Sequence, residues 1–186
     1  ERFASKALAG VGVAFYVMAA LTHRLRERGD VPSGTGTNPA DLLDLVALGT
    51  VADVVPLDFN NRVLVSQGLR RIRAGRCAPG LQALLEVAGR RLEGVIAQDL
   101  GFQVGPRLNA AGRLEDMTLG VECLLAGDAI VAREIAARLS QINVERRDIE
   151  ARMQGEALEQ VEILLTSLEG ELPAGLCLQD EGWHQG

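Results

Sequence analysis

From Asp128 to Leu165 the chain contains no proline and one glycine, Gly155. Apolar residues recur through it at Ile135, Leu139, Ile142, Ile149, Met153, Leu158, Val161 and Leu165. That is close to the three-and-four spacing that lays one apolar seam along a helix. Asp128, after Gly127, can cap the start, because an aspartate side chain accepts from the free amides of a first turn. At 1.5 Å per residue a helix of this extent is about 55 Å long, more than the width of a small domain. Such an element usually joins bodies. The chain is therefore expected to divide into a first unit over 1–126, a connecting helix over 127–168 and the opening of another unit over 169–186. Gly170 to Gly175, with Pro173, marks the second boundary, and Leu176 to Leu178 reads as a first strand. Arg146, Arg147 and Arg152 sit among Glu145, Glu150 and Glu156, so solvated pairs one turn apart account for them.

The first unit also reads as helical. Leu8, Val11, Phe15, Met18, Ala19 and Leu25 give an amphipathic helix over Ala7 to Arg28, ended by Gly29, with His23 on its polar side. Gly10 and Gly12 near its start are read as close-packing positions. Gly29 to Pro39 is a loop, and Pro39 opens the next helix, where Asp41 and Asp44 suit a first turn. A helical pattern runs from Asn60 to Ala74, a shorter one from Pro79 to Val87, and another from Gln98 toward Gly105 and Pro106. Pro106 is expected to interrupt that last helix and start a new turn with outward-pointing amides. Arg70, Arg71, Arg73 and Arg76 form a basic cluster, read as a solvated helix face.

Between the second and third of these helices lies A-L-G-T-V-A-D-V-V-P-L, Ala47 to Leu57. Its one acid, Asp53, falls in a run of Val and Ala, where burying a carboxylate costs several kcal/mol unless it is paired or bound to a metal. Two readings stand: a hard oxygen ligand for manganese or magnesium, or an aspartate closing a turn after a helix. Farther on, Gly101 to Leu114 reads G-F-Q-V-G-P-R-L-N-A-A-G-R-L. Arg107 and Arg113 with Asn109 between them offer several fork-like donors, the chemistry that holds phosphate. Pairing with Glu115 or Asp116 is the alternative.

These two strings, in this order and at this separation, closely resemble signature motifs of the RecJ family, single-strand-specific DNA exonucleases of the DHH phosphoesterase superfamily. L-A-G-V-G-V-A-F at Leu8 to Phe15 and D-E-G-W-H-Q-G at the C-terminal end are similar to two more. The resemblance covers most of the chain. It implies an α/β parent fold of which this chain is a predominantly helical part. It implies two divalent ions, Mn2+ or Mg2+, with Asp53 as a metal-ligating catalytic residue. It also implies substrate phosphate or DNA contacts by Arg107, Asn109, Arg113 and His184. The family's Asp-x-Asp and Asp-His-His motifs do not occur here, so the chain is expected to be the part of a longer protein that follows them, inactive by itself. On that basis 1–126 belongs to the catalytic domain, and 169–186 opens the DHH-associated domain that helps bind substrate. The implied activity is 5′-to-3′ hydrolysis of single-stranded DNA in repair and recombination, with a single-strand binding protein and a helicase as candidate partners. Competing readings are a DHH phosphoesterase acting on short oligonucleotides or cyclic dinucleotides, and a non-catalytic DHH-like binding module.

Composition narrows this further. A net charge of −6 argues against a general nucleic-acid coat, though not against a local cleft. Aromatic residues are 3% of the chain, too few for a wide base-stacking platform. Cys77, Cys123 and Cys177 are scattered, with no C-x-x-C pair, which points to a reducing cytoplasm. No apolar run is long enough to span a bilayer.

Overall fold

The computed structural model describes residues 3, 5–30, 38–167 and 174–184. Helices α1 (Gly10–Glu27), α2 (Leu43–Ala52), α3 (Phe59–Arg73) and α4 (Pro79–Val87) come first. A helical turn α5 (Ala97–Asp99), then α6 (Gly105–Leu114), α7 (Thr118–Leu125) and α8 (Ala129–Ser167) follow. Short 3-10 turns at Pro39–Leu42 and Leu92–Gly94 precede α2 and α5. Among the described residues there is no strand, as expected for a helical part of an α/β protein. The expected strand at Leu176 to Leu178 is irregular, having no neighbouring strand to take up its backbone groups. The core of the expected loop, residues 31–37, and the boundary at 170–173 lie outside the described residues.

Apolar stripes decide the packing. Leu64, Val65, Leu69 and Ile72 form the buried face of α3, laid along α2, whose Val46, Ala47 and Leu48 are buried. Two glycines permit close approach: a Cβ on Gly68 would lie 2.2 Å from the Leu43 carbonyl oxygen, and one on Gly80 would lie 1.8 Å from that of Cys123. Leu81, Leu84 and Leu85 of α4 meet Ala132, Ala136 and Leu139 of α8 in the same core.

Helix α8 spans 39 residues, and the Asp128 carboxylate accepts from the amides of Ile130 and Val131 at 2.8 and 3.0 Å, as the sequence suggested. It is not purely a connector. Its first half is built into the body against α4, α6 and α7, while Leu158, Ile163, Leu164 and Leu165 near its far end are exposed. The small Ala132 and Ala136 let it sit deep in the core.

Three polar residues tie the helices together. Asp44 stands in the first turn of α2, as expected, but it is 2% exposed, and its carboxylate accepts from the Ala78 amide at 2.7 Å, capping α4 from across the fold. Asp44→Ala should cost about 1–3 kcal/mol, because it leaves a buried amide without a partner. A urea midpoint equal to that of the unaltered chain would refute this. Asn61, fully buried, donates to the carbonyls of Ala7 (2.7 Å) and Pro56 (2.8 Å), joining the entry to α1 with the turn before α3. Asp58 caps α3 at the Asn61 amide (2.8 Å) and accepts from the Ser5 hydroxyl (2.6 Å); these bonds hold its carboxyl below the usual range.

The thiols of Cys77 and Cys123 are both pushed up to about 11 by burial and stay protonated. They are packing residues.

Candidate functional site

Asp53 is not buried. It is the residue at which α2 ends, its amide bonded to the Gly49 carbonyl, and its side chain faces solvent. The apolar run misleads because α2 is buried almost all round, through Val46, Ala47, Leu48 and Thr50, whereas Asp53 falls beyond its last turn. The next residue, Val54, has φ 55 and is 86% exposed. A β-branched residue in the left-handed region is a genuine outlier, costing about 1–3 kcal/mol, and such strain clusters at functional sites. Leu57 and Phe59 are exposed beside the same turn, so Asp53 stands on an apolar surface. No carboxylate need be desolvated to leave it there.

Pro106 does not break the helix that leads to it. Leu100–Val104 adopts a π-type turn in which the Gly105 amide donates to the Leu100 carbonyl, and α6 continues directly from it. Widening the turn by one residue accommodates the proline ring that an ordinary α-turn would exclude. The expected outward-pointing amide at the start of a new turn is therefore already used at Gly105. The π turn lies against the end of α2: a Cβ on Gly101 would come 3.1 Å from Val51, and one on Gly105 would come 3.7 Å from Ala52. This contact sets the Asp53 turn beside the segment that carries Arg107.

Arg107 is half-buried, donating from Nη1 to the Gln103 carbonyl at 2.7 Å and from Nε to the Ser140 hydroxyl at 3.3 Å. Burial, and then the charge of Arg147, lower its pKa from the usual arginine value. Two arginines at close quarters favour an anion between them. Asn109 is exposed on α6. Arg113 is exposed and lines a cleft of about 290 Å³ with Arg146, Met153, Trp183 and His184. The indole of Trp183 donates to Glu156 at 2.8 Å, folding the chain back so that His184 reaches α8. The structure thus brings Arg113 and His184 to one cleft. Arg107 meets α8 nearby at Ser140 and Arg147, and about 9 Å of helix axis separates it from Arg113. Glu115 pairs with Arg138, so it occupies neither Arg107 nor Arg113. The expected pairs Arg146–Glu150 (2.8 Å) and Arg152–Glu156 (4.0 Å) are present.

The basic cluster is more engaged than a solvated face. Arg71 pairs with Asp41 at 3.0 Å, and Arg73 donates to the Val95 carbonyl at 2.8 Å. The helix that carries them packs on α2 and beside the Leu92–Gly94 turn, which brings those acceptors within reach.

No family model matches the chain. It is 59% identical over 186 residues to the single-stranded-DNA-specific exonuclease RecJ of Dickeya dadantii, an alignment covering 99% of this chain and 32% of the relative. Identity to the RecJ of Escherichia coli is 56% over 186 residues, again 99% of this chain and 32% of the relative. The chain belongs to the RecJ family. It spans about a third of the length of these curated RecJ relatives. A crystal structure of exonuclease RecJ bound to manganese superposes with a TM-score of 0.71 at 36% identity, covering 84% of this chain and 37% of that one. RecJ from Thermus thermophilus in complex with Mg2+ gives 0.70 at 36% identity, covering 83% of this chain and 23% of that one.

Those RecJ structures hold divalent ions, and the donor of Asp53 has the right hard-oxygen chemistry for them. Asp53 is one donor of the several that such an ion needs. Among the described residues no three of His, Cys, Asp and Glu gather where an ion could sit, and one carboxylate does not hold such an ion. Among the described residues no helix is long and apolar enough to cross a membrane. Asn61 is the residue near the site that sequence reasoning missed. Its signal was present, since it stands at the first position of the α3 buried stripe, where an aliphatic side chain would be ordinary.

Proposed function

We propose that this chain is part of a cytoplasmic exonuclease that hydrolyses single-stranded DNA from its 5′ end, in repair and recombination. The supporting observation is identity of 59% sustained over 99% of the chain with a relative named a single-stranded-DNA-specific exonuclease, the 5′ direction and the repair role being what the family resemblance implies. Residues 1–126 contribute to the catalytic domain, 127–168 form the connecting helix, and 169–186 open the DHH-associated substrate domain. Two divalent ions, manganese or magnesium, supply charge neutralisation and an activated water in such chemistry. Asp53 is the ligand this chain offers them, held exposed by the strained Val54 turn and braced from behind by the π turn at Gly101. Arg107, anchored through two of its nitrogens, keeps Nη2 for a substrate phosphate. Arg113, Asn109 and His184 extend the grip toward α8. Single-stranded DNA is the partner the site addresses, with a single-strand binding protein and a helicase as further candidates.

The test uses the complete polypeptide that carries this chain, with end-labelled DNA and manganese. Degradation of the single strand, sparing duplex, dinucleotides and cyclic dinucleotides, is the expected result. Preference for dinucleotides or cyclic dinucleotides would overturn it in favour of another DHH phosphoesterase. The 186-residue chain by itself should leave DNA intact. Arg113→Ala removes a side chain with no hydrogen bond or ion pair among the described residues, so folding should be unaffected. Its affinity for single-stranded DNA at low salt should fall about tenfold, the worth of one charge-assisted hydrogen bond. Unchanged affinity would remove Arg113 from the interface.

A further inference from the structure

We propose that the outer face of α3 is a second contact for the single strand, gripping its phosphates through Arg62, Arg70 and Arg73 with a base laid against Phe59. The inference rests on the exonuclease reading above and extends it to a surface that neither Asp53 nor α6 occupies. Phe59, Arg62, Ser66, Arg70 and Arg73 recur at three- and four-residue spacing, so they share one face of α3. Arg62, Ser66, Arg70 and Arg73 rim an open cleft of about 350 Å³, and no carboxylate lines it.

Two of the three guanidinium groups are anchored in the same way. Arg62 donates from Nε to the Leu57 carbonyl at 2.7 Å, and Arg73 from Nε to the Val95 carbonyl at 2.8 Å. Each therefore keeps both terminal nitrogens for a ligand, with its fork already oriented, which lowers the ordering cost of binding an anion. Asp58, which caps α3 one turn before Arg62, is engaged by the Asn61 amide and the Ser5 hydroxyl. Arg70, between them, makes no side-chain hydrogen bond or ion pair among the described residues.

Three features choose a nucleic-acid strand over an acidic peptide. Val65 and Leu69 are buried and Leu57 is the one exposed aliphatic residue among those lining the cleft, so it offers little apolar surface to a peptide side chain. Arg62 and Arg73 lie about 16 Å apart along the helix, a span suited to successive phosphates and not to one acidic group. One turn before Arg62, Phe59 is 85% exposed, and an exposed ring beside arginines is the element on which single-strand bases stack. The cleft also begins at Leu57, just past the Asp53 turn. Leu57 is four residues past Asp53, so the cleft opens next to that turn along the chain.

The test titrates the complete polypeptide with two labelled deoxythymidine oligomers, one reaching only the Asp53 and α6 region and one several times longer. Arg70→Glu and Arg62→Gln are compared with the unaltered protein. Affinity of Arg70→Glu for the long oligomer should fall several-fold, and its salt slope should drop by about 0.7 for each phosphate no longer neutralised. The short oligomer should change less than twofold. A long oligomer bound by both variants with unaltered affinity and slope would overturn the α3 contact while leaving the exonuclease reading in place. Failure of the unaltered protein to bind either oligomer would overturn both. Binding of an aspartate-rich peptide that Arg70→Glu abolishes, with long-oligomer affinity the same in Arg70→Glu and the unaltered protein, would overturn the nucleic-acid assignment in favour of a protein partner.

Discussion

Gly80→Ala should destabilise the chain by about 3 kcal/mol or more, at or beyond the upper end of ordinary overpacking, against a total of about 5–15 kcal/mol for a typical domain. The added Cβ would lie 1.8 Å from the Cys123 carbonyl oxygen and 2.5 Å from its carbon, both backbone atoms of α7, so no rotamer change relieves the clash. Helix α4 would have to move off α7, and the leucines it packs against α8 would move with it. Gly155→Ala is the control. It lies in α8 with nothing within 4 Å of a new Cβ, so it should stabilise by up to about 1 kcal/mol through helix propensity. Denaturant midpoints that move equally for both, or not at all for Gly80→Ala, would show that α4 and α7 do not approach as described.

The second large effect is on activity alone. In the complete polypeptide, Asp53→Ala should reduce manganese-dependent degradation of end-labelled single-stranded DNA on the order of a thousandfold, as expected for loss of several kcal/mol of metal-borne charge stabilisation. Stability should change by less than about 0.5 kcal/mol, because the carboxylate is exposed and its side chain has no partner among the described residues. That separation is the useful outcome. An active, stable Asp53→Ala protein would return the residue to closing the turn after α2. A variant both inactive and unfolded would contradict the exposed position of the carboxylate.

Much of this was legible in advance because it is local. The Asp128 cap and the proline-free run specify α8 through backbone hydrogen bonds between near neighbours, and Pro79 specifies the start of α4 in the same way. The motif strings around Asp53 and Arg107 were equally readable, since a motif is a pattern along the chain. Burial was not. Asp53 looked buried among valines and is exposed, while Asp44, a first-turn acid as expected, is also buried on the Ala78 amide. How far the cover over α2 extends depends on where α1, α3 and the π turn lie, and no local pattern carries that information. Pro106 misled for a related reason: one wide turn, held against Val51 and Ala52, absorbs a residue that local propensity reads as a break.

By itself, then, the sequence determined most of the helices, the Asp128 cap and the family, which depend on residues a few positions apart, whereas α7 and the Asp58 cap of α3 emerged only in the structure. Only the tertiary structure decided that His184 shares a cleft with Arg113, that Asn61 clasps Ala7 to Pro56, and that Arg62, Arg70 and Arg73 line one groove free of acids. Those relations join groups far apart in the chain or choose among helix faces. Both are settled by how apolar stripes pack, a property of the whole fold and not of any segment.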